Sequence, residues 1–330
     1  MNLRVRFAWS VVCVSIVSAV PTLYTAPAFP AYPEKPIRII IPFAPGASAD
    51  NYARMVAGKL TEKFGQSVVV EARPGANGII ATDFVAKAAP DGYTLLLTNT
   101  AHSINQGIYR KLPFDADRDF APVAMVAAPS GTMLAAHPSL PVKSLQDLID
   151  LARARPGQIS YGSAGIGNTL HLAGEMLNFQ AGVRLLHVPY KGAAPALTDL
   201  LAGQVQLMWN APGFVMTHVR AGKLRALATG GANRLSEYPE VPTFRESGLP
   251  DYVIVSWFGI LAPAATPRDI VVLLGNEIHR GMTQADLRER LAQNGADPPN
   301  VRPEDFAAHI KADAEKTIQL VRKIGIVAEQ

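Results

Sequence analysis

The sequence predicts an α/β protein of two lobes joined by crossing hinge strands, and three observations predict it. From Tyr32 onward, apolar runs of strand length alternate with segments of helical period. The chain has 330 residues, 48% of them apolar and 18% charged, enough for two domains of ordinary size. One stretch breaks the alternation: in residues 123 to 136, two short apolar runs flank Ala128-Pro129-Ser130-Gly131 in the manner of a crossover between lobes.

Residues 1 to 28 read as a secretory signal, with Arg4 and Arg6 as the basic start, residues 7 to 20 as the apolar stretch and Ala26-Pro27-Ala28 as a small-residue cleavage site. The apolar run is shorter than the roughly 20 residues that span a bilayer, and prolines follow it. The single cysteine, Cys13, lies inside that run behind Val12, which is not the small residue a lipid-anchoring site requires. The mature chain therefore lacks cysteine, which excludes disulfides, a thiolate nucleophile and Cys-ligated zinc. The formal charge is +4, and two of the bases leave with the signal, so nothing in the balance calls for nucleic acid.

Ile37-Arg38-Ile39-Ile40-Ile41 is the first predicted strand, followed by a glycine-containing loop at residues 44 to 48. Ala53, Val56, Ala57 and Leu60 then recur at i, i+3, i+4 and i+7, and Gly65 is placed to stop that helix. Val68-Val69-Val70, residues 94 to 98, 185 to 188 and 205 to 209 supply further strands, and the alternation implies parallel sheets. Ser144 and Asp147 form a capping box opening a helix that Pro156-Gly157 ends. Helical stretches at residues 270 to 278 and 306 to 321 close the chain. With a return crossing near residues 252 to 262, the organisation is residues 29–127 as the first part of lobe one, 128–230 as lobe two and 231–330 as the return part of lobe one.

In open parallel sheets, ligands bind beyond the carboxyl ends of strands, where loop N–H groups and helix N-termini face outward together. Four loops qualify: residues 45 to 50, 98 to 103, 163 to 169 and 209 to 213. Each is small and polar, which lets its backbone approach a ligand, and the following helix start favours an anion, so a carboxylate is the expected guest. Candidate ligand-binding residues are Phe43 and Ser48 at the first loop, Asn77 after the second strand, and Thr98 and His102 at the next loop. Lobe two adds Ser163, Gly165, Asn168, Thr169 and His171, then Tyr190 and Asn210. His171 can donate to a ligand oxygen or to a loop carbonyl. Lys191 can neutralise a carboxylate or stay solvated, Trp257 can wall a cleft or fill a core, and Asp50 is expected to cap its helix or bond the neighbouring loop.

Zinc-protease, nucleophile-elbow and phosphate-loop motifs are missing: position 161 is tyrosine, which breaks the pattern around Ser163, and Asn168-Thr169-Leu170 after Gly167 breaks the dinucleotide fingerprint. No enzyme, cofactor or metal site is predicted.

Five stretches in order resemble the extracytoplasmic solute receptors of the tripartite tricarboxylate transporter family, the Bug receptors. They are Tyr32-Pro33-Glu34-Lys35-Pro36-Ile37, Arg73-Pro74-Gly75-Ala76, Ala88-Ala89-Pro90-Asp91-Gly92-Tyr93-Thr94, His187-Val188-Pro189-Tyr190-Lys191-Gly192 and Ser256-Trp257-Phe258-Gly259. The resemblance spans nearly the whole mature chain. It implies a type II periplasmic-binding-protein fold, a periplasmic location, and closure around a dicarboxylate, an acidic amino acid or an aromatic acid. It also implies delivery to the membrane permease subunits of such a transporter, a role that suits a monomer. In that family, loop amides and hydroxyls hold the ligand carboxylate, and Ser163, Gly165, Asn168, Thr169 and His171 match that loop. Two positions depart from the family pattern: Ala47, Ser48 and Ala49 stand where glycines and a threonine precede the aspartate, and Asn210 stands where many relatives have aspartate. A periplasmic sensor presenting its ligand to a signalling partner is the alternative output. A hydrolase or isomerase using His171 with Ser163 or Thr169 is a third hypothesis, disfavoured by the absent motifs.

Overall fold

The computed structural model describes residues 32–46, 48–129, 131–235 and 237–327; the expected signal segment lies outside them. The first lobe opens with β1 (Ile37–Ile41), α1 (Ser48–Phe64), β2 (Val68–Ala72), α2 (Ile79–Ala86), β3 (Thr94–Asn99), α3 (Ala101–Ile108) and β4 (Phe120–Pro129). The second lobe follows with β5 (Met133–Ala136), α4 (Leu145–Ala154), β6 (Ser160–Ser163), α5 (Thr169–Ala181), β7 (Leu186–Pro189), α6 (Ala193–Leu201), β8 (Leu207–Asn210), α7 (Pro212–Arg220) and β9 (Arg225–Thr229). The chain then returns with β10 (Phe258–Pro263), α8 (Arg268–Met282), α9 (Ala285–Gln293), β11 (Ala296–Asp297) and α10 (Phe306–Ile324).

Local chemistry explains these elements. Four of the five β1 residues are buried, the four isoleucines around Arg38, as expected of a parallel strand packed on both faces. The predicted stripe Ala53, Val56, Ala57 and Leu60 is the buried face of α1, and Gly65 ends the helix at a left-handed φ of 67°. The capping box forms in full: Ser144 Oγ accepts the Asp147 N–H at 3.1 Å, while the Asp147 carboxylate accepts the Ser144 N–H at 3.0 Å.

The strands make two sheets, ordered β11-β4-β10-β3-β1-β2 and β7-β6-β8-β5-β9. Both are mixed rather than purely parallel. The βαβ units stay parallel, but β10 runs antiparallel to β3 and β4, and β5 antiparallel to β8 and β9. The strands beside the two crossings enter their sheets from the opposite end, which alternation along the chain does not reveal.

The outward crossing lies between β4 and β5. On the way back, the second-lobe core continues past the expected boundary at residue 230: Phe244, Tyr252 and Ile254 pack with Leu134, Tyr161 and Trp209. Thr229 bridges Thr243 in parallel, and Ile254 N–H donates to Gly230 O at 2.9 Å. The first-lobe core holds Ile40, Leu96, Phe120, Trp257 and Phe306. Trp257 belongs there, edge-on to Phe306 and donating Nε1–H to Asp313 at 2.9 Å. Among the described residues, no helix is long and apolar enough to cross a membrane.

Candidate functional site

A cavity opens where the strand ends of both sheets meet the two crossings, with about 690 Å³ of empty space including its mouth. From the first lobe come Phe43 after β1, Ser48 and Ala49 at the start of α1, and Asn99 at the end of β3. The second lobe supplies Ala164 and Asn168 between β6 and α5, Thr169 and Leu170 in the first turn of α5, Ala193 at the start of α6, Asn210 at the end of β8, Ala211 after it, and Phe214 in the first turn of α7. The crossings add Pro129, Gly131, Thr132, Ser256 and Phe258.

Among the described residues, this lining contains no Asp, Glu, Lys, Arg or His. The first turns of α1, α5, α6 and α7 reach its edge, and the leading N–H groups of a helix lack intrahelical partners and carry partial positive charge. Three lining side chains are buried and hold a polar atom with no hydrogen-bond partner among the described residues: Thr132 Oγ1, Thr169 Oγ1 and Asn210 Nδ2. The Asn210 orientation is settled by its other end, since Oδ1 accepts the Ala211 N–H at 2.8 Å and leaves Nδ2 as the unpaired donor. Buried polar groups are normally satisfied, which leaves these three able to bond a guest or a water.

Of the twelve predicted residues, Phe43, Ser48, Asn168, Thr169 and Asn210 line this cavity. Asn168 also caps α5, accepting the Leu170 N–H at 2.9 Å. The remaining seven do not line it. Ser163 Oγ accepts the Gly165 N–H at 3.1 Å and lies 2.6 Å from His187 Nε2, which shapes the loop from behind. Gly165, at φ 131°, allows that turn. His171 Nδ1 accepts the Gly167 N–H at 3.1 Å, and its ring stacks on His187 at 4.0 Å. Tyr190 donates its hydroxyl to Asp199 at 2.8 Å. Asn77 bonds Asn105 at 2.8 Å. Thr98 is buried in β3 opposite Gly259. His102 packs between Phe114 and Phe120 in the first lobe, where burial pushes its pKa down. Asp50 turns away from the cavity, its carboxylate accepting the Gly46 N–H at 3.0 Å and pairing with Arg54; Lys191 is exposed.

Sequence reasoning missed Asn99, Thr132, Phe214, Ser256 and Phe258. Asn99 had a signal, because as the last residue of a strand it reaches the loop edge that Thr98, one position earlier, does not. The others reach the cavity only through the crossings and the pitch of α7.

The His171–His187 stack has a consequence for stability. Burial, and then the neighbouring His171, depress the His187 pKa to about 3, so the folded protein holds this ring neutral. A depressed histidine contributes stability that is fully present above the unfolded value of about 6.5 and is lost as pH falls towards the folded one. Urea midpoints are expected to fall between pH 7 and pH 5, where ordinary carboxylates stay ionised, and to fall less in His187→Gln. Equal slopes in the two proteins would remove His187 from this account.

A family model of tripartite tricarboxylate transporter family receptors matches residues 52–326. The chain belongs to this family. BugT of Bordetella pertussis (strain Tohama I) is 37% identical over 294 residues, covering 88% of this chain and 90% of BugT. The structure of R. palustris Rpa4515 with adipate superposes with a TM-score of 0.86 at 35% identity, covering 90% of this chain and 99% of that one. The periplasmic binding protein BugD superposes at 0.85 and 34% identity, over 90% of this chain and 100% of BugD. The two-lobed periplasmic-binding-protein fold expected from the sequence is therefore the observed one, and the receptor belongs to a family of solute receptors rather than of enzymes.

Proposed function

We propose that this chain is an exported periplasmic receptor that captures a small carboxylate between its lobes and hands it to the membrane permease subunits of a tripartite tricarboxylate transporter. One observation carries the reading: a cavity framed by both lobes and both crossings, ringed by helix N-termini, in which Thr132, Thr169 and Asn210 keep buried polar atoms unpartnered. A carboxylate accepts from such donors, and hydrogen bonds to a charged acceptor are the stronger kind. Ligand capture by groups from two lobes also gives the closed state its advantage, since only that state makes both sets of contacts. The adipate-bound relative supports the ligand class. The ligand-contacting residues in this reading are Ser48, Asn168, Thr169 and Asn210 with Phe43, while Ser163, Gly165 and His171 hold the shape of the second-lobe loop.

A thermal-shift screen against small carboxylates tests it, because a ligand at 100 times its dissociation constant adds about 2.7 kcal/mol. Thr169→Val is expected to weaken the best ligand on the order of 10-fold by removing one donor. The ligand-free protein should keep or slightly raise its melting temperature, because the variant removes an unpartnered buried hydroxyl. Unchanged affinity in calorimetry would take Thr169 out of the site, and a flat response to every carboxylate would sink the receptor reading.

A further inference from the structure

The contacts between the lobes differ in kind. On one side, α10 packs against both α3 of its own lobe and α5 of the second. Ile104 and Ile108 of α3 and Val321 of α10 are buried, and they belong to one apolar cluster with Leu170 and Leu177 of α5. The Lys323 ammonium lies over the Phe179 ring at 5.6 Å on the rim of this seam. The loop that carries Asn168 and Thr169 rests on the same seam: a Cβ on Gly167 would run into Ile108 Cδ1 and lie 3.1 Å from Asn77 Nδ2. Asn77 is itself fixed, since its Nδ2 donates to Asn105 Oδ1 at 2.8 Å and its carbonyl accepts from Asn105 Nδ2 at 3.1 Å.

On the other side, the start of α7 meets the end of α9 with glycine backbone and polar groups, apart from Pro212. A Cβ on Gly213 would meet Asn294 Cα at 2.6 Å, and one on Gly295 would meet Pro212 Cδ at 2.6 Å. Among the described residues, no hydrogen bond joins 212–216 to 291–295. Parting this contact exposes groups that water solvates readily, whereas parting the α5 seam brings buried isoleucine and valine into water, which is costly. At the loop after β1 the approach is slight, with Ala44 Cβ 3.9 Å from a Cβ position on Gly192.

We infer that the seam of α3 and α10 with α5 is a pivot that stays packed in the ligand-free receptor, and that the lobes part at the contact of α7 with α9. Thr169, two residues from Gly167, then moves least, and Phe214, beside Gly213, moves most. A ligand enters on the α7 side, meets the Asn168–Thr169 loop already in place, and is covered by Phe214 as the lobes close. The inference rests on the receptor reading for its purpose, and its test needs no ligand.

Spin-label distances decide it, measured by dipolar EPR on the extensively dialysed chain from residue 29, which has no cysteine of its own. One pair, Arg184→Cys with Arg322→Cys, spans the pivot side, and another, Thr217→Cys with Glu289→Cys, spans the side of α7 and α9; all four positions are exposed. The first pair should give a single narrow distribution. The second should be broad, or longer than in the structure by more than about 2 Å. Adding Ile108→Ala to the first pair should broaden it, because the seam then loses a buried side chain. Circular dichroism confirms that each variant is folded. Broad distributions for both pairs, movement confined to the first, or two narrow distributions at the distances of the structure overturn the inference. So does a first pair indifferent to Ile108→Ala. The receptor reading stands or falls separately, on the carboxylate screen.

Discussion

Replacing Gly131 by alanine is expected to destabilise the protein more than any other single methyl group discussed for this chain. Gly131 stands in the outward crossing at φ 128°, a conformation that residues with a Cβ rarely adopt. A Cβ there would lie 2.4 Å from Gly231 N and 2.9 Å from Gly230 C. Both are backbone atoms, and their segment is pinned: Gly230 N–H donates to Thr132 O at 2.7 Å, and Gly230 O accepts the Ile254 N–H at 2.9 Å. No flexible side chain can yield, so strain and overpacking add to about 4 kcal/mol. The melting temperature should drop by on the order of 10 °C. Gly222 is the control: it also has a positive φ, 69°, but its added Cβ meets nothing within 4 Å, so Gly222→Ala should cost only about 1–2 kcal/mol. Equal losses in the two variants would show that the close approach of the outward crossing to the Gly230–Gly231 backbone contributes nothing.

Gly213→Ala is expected to have the largest effect on binding, and in the opposite sense on the two obvious readouts. Gly213 lies in α7 of the second lobe, and a Cβ would meet Gln293 O at 2.2 Å and Asn294 Cα at 2.6 Å, at the end of α9 in the first lobe. Beside it, a Cβ on Gly295 would lie 2.6 Å from Pro212. The clash is between lobes and against backbone, so it can be relieved by parting them without disturbing either core. Within the helix itself, alanine is favoured over glycine by about 0.5–1 kcal/mol. The variant should therefore melt no lower than the parent when ligand-free, yet bind its ligand on the order of 100-fold more weakly, since affinity scales with the fraction that can close. Small-angle scattering with saturating ligand should show a larger radius of gyration than the parent. Parental affinity in the variant would exclude this contact from closure.

The sequence was most legible where the physics is local. The capping box at Ser144, the stripe and glycine stop of α1, and the small polar loops after β1, β6 and β8 follow from nearest-neighbour chemistry, and they appear where the residues place them. Legibility fell where two ends of the chain must meet. His171 could be read as a donor to a ligand oxygen or to a loop carbonyl, and only the fold shows that its Nδ1 accepts the Gly167 N–H, because a buried loop N–H needs a partner. Thr98 and Asn99 are adjacent, but the strand's two-residue period separates them, and pairing with β10 decides which reaches the cavity. Residues 237 to 254 carry no periodic signal, and it takes their packing with Tyr161 and Trp209 and their bonds to Thr229 and Gly230 to assign them to the second lobe.

By itself, the sequence determined that this protein alternates strands and helices in two lobes, lacks the residues for thiol or zinc–thiolate chemistry beyond Cys13, and ends several strands in loops suited to an anion. Only the tertiary structure decided which of those loops converge, that no charged side chain lines the cavity among the described residues, and that Thr132, Thr169 and Asn210 are lining residues there with an unpartnered polar atom. The reason is physical: helix starts and turns are fixed by neighbours a few residues away. Whether a buried hydroxyl or amide finds a partner depends on strands and crossings that meet from far apart in the chain, such as Met133 beside Asn210.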